Sequence, residues 1–559
     1  MITRSASARD VPVLAGRSAA LALPPDFPSL SGTARLDAIL KLASPGKFIS
    51  RLREDEFVFL VNGIGLEDAG VLVRYATSAQ RKLLVDMDSW EGDEFRPDRF
   101  DRILDIVKEH GLDFTVEMLR ELDPGILILS LVKRAKFHTV EEAEDMEFAP
   151  GTWFMTPDGT FVVECADEDD VPAVRNLIDL VYAIGVAYAH WLIQGGRWET
   201  VSSVQEQSFE YRRSRLADNG FPEEEDPYSI YEPFDLESFR SRVAGTDPGE
   251  TSAGTARGEP LALTVADTPK GLFFWKVISS PAAAGLDHAA ILSQTMNLVN
   301  RVMGASVRDL SEVESWGPVA AHALTVVSVG LEAVSRGDVE VAASVLKKSV
   351  PLELFRAGIE FSRPVSVLAR QVVADVGGLA SLSLFGDSAA ADIDAAAAFP
   401  VKCPPSISGS DGEYVDFQNC GQVIASISMM KKFKAVVQFS KAVLGFDPSG
   451  NHSGDGLLHP PRFASVVATA WARQVLDGAL SLAPLRGADL VRLRGIAFDG
   501  SVIRPGLRLS ASGEGDEYAL AVREFISESL DSVEAGLGGL VDADMVDPRL
   551  IGDCLLIAE

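Results

Sequence analysis

Positive charge is in short supply. Against 81 Asp and Glu the chain sets only 51 Lys and Arg, a net charge of −30 at neutral pH. A field of that sign repels nucleic-acid phosphates and anionic lipid headgroups, and it favours solubility and basic partners. Cysteine is scarcer still: Cys165, Cys403, Cys420 and Cys554 are the four in 559 residues. No two of them form a C-x-x-C pair. That spacing excludes a zinc signature and a dense disulfide framework, so reduced thiols in a cytoplasm are expected. Long apolar runs are missing as well. The longest, 177–193, is shorter than the ~20 residues of a typical membrane span and carries Asp179 and His190. It is expected to be a buried core helix without membrane insertion. Arg4, Arg9 and Arg17 interrupt the first 25 residues, which argues against a signal peptide and for a mobile tail over 1–25.

Familiar catalytic motifs are absent too. The chain has no Gly-x-Ser-x-Gly, no His-Glu-x-x-His and no Walker A sequence. Gly63-x-Gly65 follows an apolar run and begins like a dinucleotide loop. The third glycine is replaced by Asp68, whose carboxylate would repel a pyrophosphate, so the segment reads as a helix stop. Ser-x-x-Lys occurs three times, at Ser44, Ser344 and Ser428, without a Lys-Thr-Gly companion. His452 and His459 are the closest pair of seven histidines, with Asp447 and Asp455 nearby. A metal site needs three or four converging ligands, which this spacing does not supply. No catalytic residue and no cofactor are expected.

What is present is helical periodicity. In 97–111, Pro97 suits a first helical position and Phe100, Ile103, Leu104 and Val107 repeat at i, i+3, i+4, i+7. Thr77 with Gln80, and Ser203 with Glu206, have capping-box spacing. Asp123 followed by Pro124 opens another helix. Short helices with short joints cannot each bury a face alone and must stack on neighbours. One segment breaks the pattern: Pro157-Asp158-Gly159 is turn chemistry between two β-prone runs, predicting a hairpin over 152–165. The expected fold class is all-α, with a solenoid-like N-terminal array and one small β-hairpin. The expected organisation is a tail (1–25), a helical array (26–146), the hairpin with further helices (147–245), a Gly/Ser/Thr/Pro-rich linker (246–260) and a C-terminal helical region (261–559). In that last region an Ala-rich stretch, 389–398, and a turn cluster near 406–412 are expected to interrupt the helices.

Three clusters carry candidate chemistry. Asp86 and Asp88 fit the first ligand positions of a calcium loop, but Trp90, Glu91 and Pro97 occupy later positions that the loop needs otherwise. A loose divalent-cation site from Asp86, Asp88, Glu91 and Asp93 is the alternative to a solvated acidic turn. Arg212, Arg213 and Arg215 offer guanidinium forks for a phosphate or a partner carboxylate. The competing expectation is local pairing, Arg213 with Glu210 and Arg215 with Asp218. Lys431, Lys434 and Lys441 form a basic stripe that could dock an acidic partner or another part of this chain.

Several segments carry a resemblance. Residues 55–90 resemble the opening of a family of uncharacterised bacterial proteins, a domain of unknown function. "RWETVSSVQEQSFEYRRSRLADNGFP" resembles its central motif, and 337–361 and 463–485 its C-terminal helices. The likeness runs from about residue 35 to 490 and departs from the family pattern over 376–414. It implies a helical bacterial protein and no activity. Residues 67–90 are also similar in rhythm to the helical N-terminal domains of MgtE-type magnesium transporters, a fold-level analogy that implies regulation or assembly. The expectation is thus a cytoplasmic interaction, regulatory or scaffold protein with a protein partner, no nucleic acid and no membrane insertion. The alternative is a cation-responsive regulator or enzyme using the acidic turn near Asp86 or the arginines near Arg212.

Overall fold

The computed structural model describes residues 23, 27, 30–222, 228–245, 268–307, 309–450, 456–508, 516–539 and 547–559. The expected linker lies outside them, as does the tail over 1–25 apart from residue 23. His452 and Asp455 lie outside them too. The chain is mostly α-helical and divides into two compact units, 1–357 and 358–559. The boundary expected at 146 lies within the first unit.

In the first unit, helices follow one another at short intervals from Gly32–Leu40 through Pro124–Val132. Their starts are set by local chemistry. Thr77 accepts from the Gln80 amide while the Gln80 side chain accepts from the Thr77 amide, closing the capping box of Ser78–Asp88. The Asp123 carboxylate accepts from the Gly125 amide, and Pro97 and Pro124 take first-turn positions. The 3.6-residue stripe of Pro97–Lys108 buries Phe100, Ile103, Leu104 and Val107 as its spacing predicts. Each such side chain contributes about 1.5–3 kcal/mol on full burial.

The array is not left open. Helix Val201–Asp218 returns to pack across Pro124–Val132 and Ser78–Asp88. It approaches closely because Gly125 has no side chain: a Cβ there would collide with the Ser208 hydroxyl. Its cap is Thr200, whose hydroxyl accepts from the Ser203 amide, three residues earlier than the Ser203–Glu206 pattern suggests. The apolar run 177–193 also departs from expectation. It is two helices, Val171–Ile184 and Val186–Trp198, broken at Gly185, whose φ of 156° ends the first. The second is buried on one side only.

The predicted hairpin forms and acquires a third strand. A two-residue pair, β1 (Trp90–Glu91) with β2 (Glu94–Phe95), precedes it. Then β3 (Ala135–Thr139), β4 (Trp153–Met155) and β5 (Phe161–Cys165) make an antiparallel sheet in the order β3-β5-β4. The extra strand supplies what an isolated hairpin lacks, since two strands alone are marginal in water. Register aligns Phe137, Val163 and Phe154 on the buried face. Lys136, Glu164 and Trp153 align on the other, as do His138, Val162 and Met155.

The rest of this unit surrounds Val313–Ser335, which packs on Phe273–Ile278, His288–Ser306 and Val339–Lys348. Among the described residues it is the one single helix long and apolar enough to cross a membrane, yet most of its apolar window is buried in the protein. It also buries Thr325, Ser328 and Ser335, and the Ser328 hydroxyl accepts from the Phe274 amide. Those are the features of a core helix.

In the second unit, helices Cys420–Ala442, Phe463–Asp477 and Glu517–Val533 enclose a core that includes Trp471, Leu490, Leu493 and Leu530. The Ala-rich stretch does not interrupt the helices. It forms one, Asp387–Ala397, as alanine's high helix propensity favours. A further two-residue hairpin, β6 (Phe498–Asp499) with β7 (Val502–Ile503), lies between the last two long helices. Residues 556–558 close this core by strand-like pairing. Leu485 donates to the Leu556 carbonyl at 2.8 Å, Ala558 to Leu485 at 2.9 Å and Leu458 to Ile557 at 2.9 Å. Cys165, Cys403 and Cys554 are buried free thiols, and burial pushes them up to about 11, 12 and 11. Thiols so shifted are protonated and weakly reactive at neutral pH.

Candidate functional site

The acidic turn and the arginine helix, read separately in the sequence, meet each other. Asp86 sits near the end of Ser78–Asp88 and is 1 % exposed. Helix Val201–Asp218 crosses there and sends Arg215 to it in a two-point contact, Nε to Oδ2 at 2.6 Å and Nη2 to Oδ1 at 2.8 Å. One turn earlier, Arg212 donates from Nε to the Asp86 carbonyl at 2.7 Å and from Nη1 to the Gly92 carbonyl at 3.0 Å. Its guanidinium lies 5.4 Å from the Trp90 ring centroid and 5.6 Å from that of Phe209. Burial pushes the Asp86 carboxyl up from its ordinary value, opposed by Arg215 and then Arg212. A carboxylate this deep is tolerated only when paired and hydrogen-bonded.

These contacts settle where the site candidates lie. Arg213 pairs with Glu210 at 3.0 Å, the expected local pair. Arg215 does not pair with Asp218; it reaches Asp86, 129 residues away in sequence. Arg212 is buried, and Arg215, whose side chain is 29 % exposed, commits Nε and Nη2 to Asp86. The loose cation site is not assembled. Asp86 is occupied by Arg215, Glu91 pairs with Arg96 at 2.8 Å and Asp93 is exposed. Asp88 is buried with Oδ2 unpartnered, in the field of Arg102 and Arg99, and burial pushes it up. Among the described residues no group of three or more His, Cys, Asp or Glu is placed to hold a metal ion. The basic stripe is also engaged within its own unit. Lys431 reaches Glu517 at 2.9 Å, Lys434 reaches the Gln371 side chain at 2.6 Å and Lys441 donates to the Asp375 carbonyl at 2.5 Å.

Two features are absent from the sequence reading. The first is a polar clasp at the hairpin tip. Asp158 accepts from His190 Nε2 at 2.6 Å, from the Tyr182 hydroxyl at 2.8 Å, and from the Thr160 amide and hydroxyl at 3.1 and 2.9 Å. Burial alone would raise its carboxyl, but the hydrogen bonds from His190, Tyr182 and Thr160 hold it well below the usual carboxylate range. Burial also pushes the Tyr182 phenol up to about 12. The clasp ties the β4–β5 turn to both helices that flank Gly185. The turn residues announced Asp158; nothing local announced partners 24 and 32 residues away.

The second is exposed aromatic surface. Helix Val186–Trp198 buries Ala189, Leu192 and Ile193. Its outer stripe, Ala187, Trp191, Gln194 and Trp198, faces solvent, with Trp191 55 % and Trp198 79 % exposed. Tyr188 stacks beside Trp191 at 5.7 Å, and Arg197 lies 5.5 Å from the Trp198 ring centroid while bonding Glu142. The outer face of the sheet adds Trp153 and Met155. Seven tryptophans make this legible only in part: periodicity separates a buried stripe from an exposed one, but it does not say which side the protein leaves uncovered.

Arg215→Ala strands the buried Asp86 carboxylate and is expected to cost about 3 kcal/mol of unfolding free energy in denaturant titration. Arg213→Ala breaks only a surface i,i+3 pair and is expected to cost under about 0.5 kcal/mol. Equal small effects would contradict the structural role of Arg215. The clasp predicts a pH dependence. A carboxyl held low in the folded state stabilises above its unfolded value, and that stability is lost as pH falls through the folded value. Asp158→Asn should therefore melt below the wild type at pH 6–7, with the gap narrowing as pH drops below about 4. A gap independent of pH would refute the clasp.

No curated protein and no solved structure matches this chain. Nothing found supports the likeness to MgtE-type N-terminal domains. A sequence model for one family matches residues 25–557, nearly the whole chain. The chain belongs to that family, DUF6178, a family of unknown function.

Proposed function

We propose that this chain is a cytoplasmic interaction or regulatory protein that presents aromatic and helical surfaces to a protein partner. The observation that carries the reading is the outer stripe of Val186–Trp198, where Trp191 and Trp198 stand exposed on a helix whose other side is packed. Large apolar rings are costly to leave in water, and tryptophan is over-represented among the residues that dominate protein–protein binding energy. The free thiols fit a reducing compartment. The acidic field favours a protein partner over nucleic acid or an anionic membrane. The alternative, a cation-responsive regulator or an enzyme built on the acidic turn and the arginines, draws less support. Asp86, Arg212 and Arg215 are already occupied by one another.

The test is in-cell crosslinking followed by affinity purification of the tagged full-length chain from its native cell. The wild type should recover a partner in stoichiometric amount. Trp191→Ser with Trp198→Ser should lose that partner while keeping the wild-type melting temperature. Recovery of the chain alone, or equal recovery by the variant, would overturn the reading.

A further inference from the structure

The outer face of the three-stranded sheet buries Val162 but leaves its β4 edge exposed, and that edge differs in chemistry from the helix stripe. Between Lys136 and Arg175 the chain contains eleven carboxylates and no Lys or Arg. On the outer face of the sheet Glu164 lies between Trp153 and the exposed Lys136, one cross-strand row. Trp153 and Met155, two residues apart on an edge strand, project to that face and are 44 % and 47 % exposed. Trp153 lies beside Glu164 in register, and its ring rests 5.7 Å from Phe148, which in turn lies 5.7 Å from His138. His138 holds Glu164 at 2.9 Å, so the ring platform is fixed in place. Exposed acids fill 141–147, the segment that leads directly into Phe148. Glu141, Glu144, Asp145 and Glu147 have no Lys or Arg partner among the described residues.

An exposed indole held against the end of an unpaired acidic segment is complementary to one kind of ligand. A guanidinium or ammonium gains from the ring face and from the carboxylates together, while an acidic or phosphorylated segment is repelled by both the local and the overall charge. We infer that the outer face of β4, centred on Trp153 and Met155, docks an Arg/Lys-rich segment of a partner protein. This rests on the interaction reading above but uses a different surface from Trp191 and Trp198, so the two can fail separately.

The probe is a fluorescein-labelled twelve-residue peptide with four Arg among Gly and Ser, titrated against the full chain by fluorescence anisotropy. Saturable binding is expected at 50 mM NaCl, weaker at 300 mM, and absent for a peptide with Gln in place of Arg. Trp153→Ser, which leaves the net charge unchanged, should weaken binding about five-fold. Trp191→Ser with Trp198→Ser should leave it unaltered. Glu144→Gln with Glu147→Gln should weaken it and flatten its salt dependence, a check that stands if the Trp153 variant fails to fold. Affinity indifferent to Trp153→Ser would mean attraction to bulk charge and would overturn the inference. So would a dimer in sedimentation that Trp153→Ser dissolves, which assigns the face to a second copy. Tighter peptide binding after removal of residues 1–22 would assign it to this chain's own Arg-bearing start. Loss of the cellular partner in the Trp191/Trp198 variant, with peptide binding blind to Trp153, would remove this inference and leave the broader reading intact.

Discussion

A carboxylate that is 1 % exposed must be neutralised where it stands, and a later helix of the first unit does so for Asp86. Its partners come from a helix more than 120 residues later in the chain. Arg215 takes both carboxylate oxygens, and Arg212 takes the Asp86 and Gly92 carbonyls while its planar face covers Trp90. The arginines thus satisfy a helix end, a two-residue hairpin and a buried acid at once. That requirement fixes how Val201–Asp218 crosses Pro124–Val132, and Gly125 beside Ser208 provides the room. Replacing such a pair by apolar side chains can be neutral for stability, but removing one member is costly, so the pair sets specificity of packing more than its net strength.

The same logic explains why residues that looked chemical are structural. An acidic turn and a basic helix are each suggestive alone. Brought together they cancel, as do Lys431 and Glu517. Among the large apolar side chains that the first unit leaves exposed are the indoles of Trp153, Trp191 and Trp198. In a chain of net charge −30, these exposed rings are the surface features on which the proposed partner binding rests.

Local signals were read well from the sequence, and distant ones poorly. The Thr77–Gln80 box, the Asp123 cap and the Pro97 helix start depend on neighbours within four residues, and they appear as expected. The hairpin at 152–165 was legible because Pro157-Asp158-Gly159 makes a turn, but β3 was hidden, since only pairing with β5 makes Ala135–Thr139 a strand. The break at Gly185 was masked by the apolar run around it. Ala389–Ala398 was misread because alanine lacks an apolar stripe to show, while its propensity suffices for a helix. The arginine cluster was located correctly and its partner was not. Spacing offers Asp218 to Arg215, whereas tertiary packing delivers Asp86.

The central claim is that the acid of the turn and the arginine of the later helix form one buried unit. A double-mutant cycle on Asp86→Ala and Arg215→Ala, read as unfolding free energies in denaturant, tests it directly. A coupling of about 2 kcal/mol or more is expected, with the double variant recovering part of the loss of either single one. Losses that add to within about 0.5 kcal/mol would show the two side chains to be independent and would contradict the account.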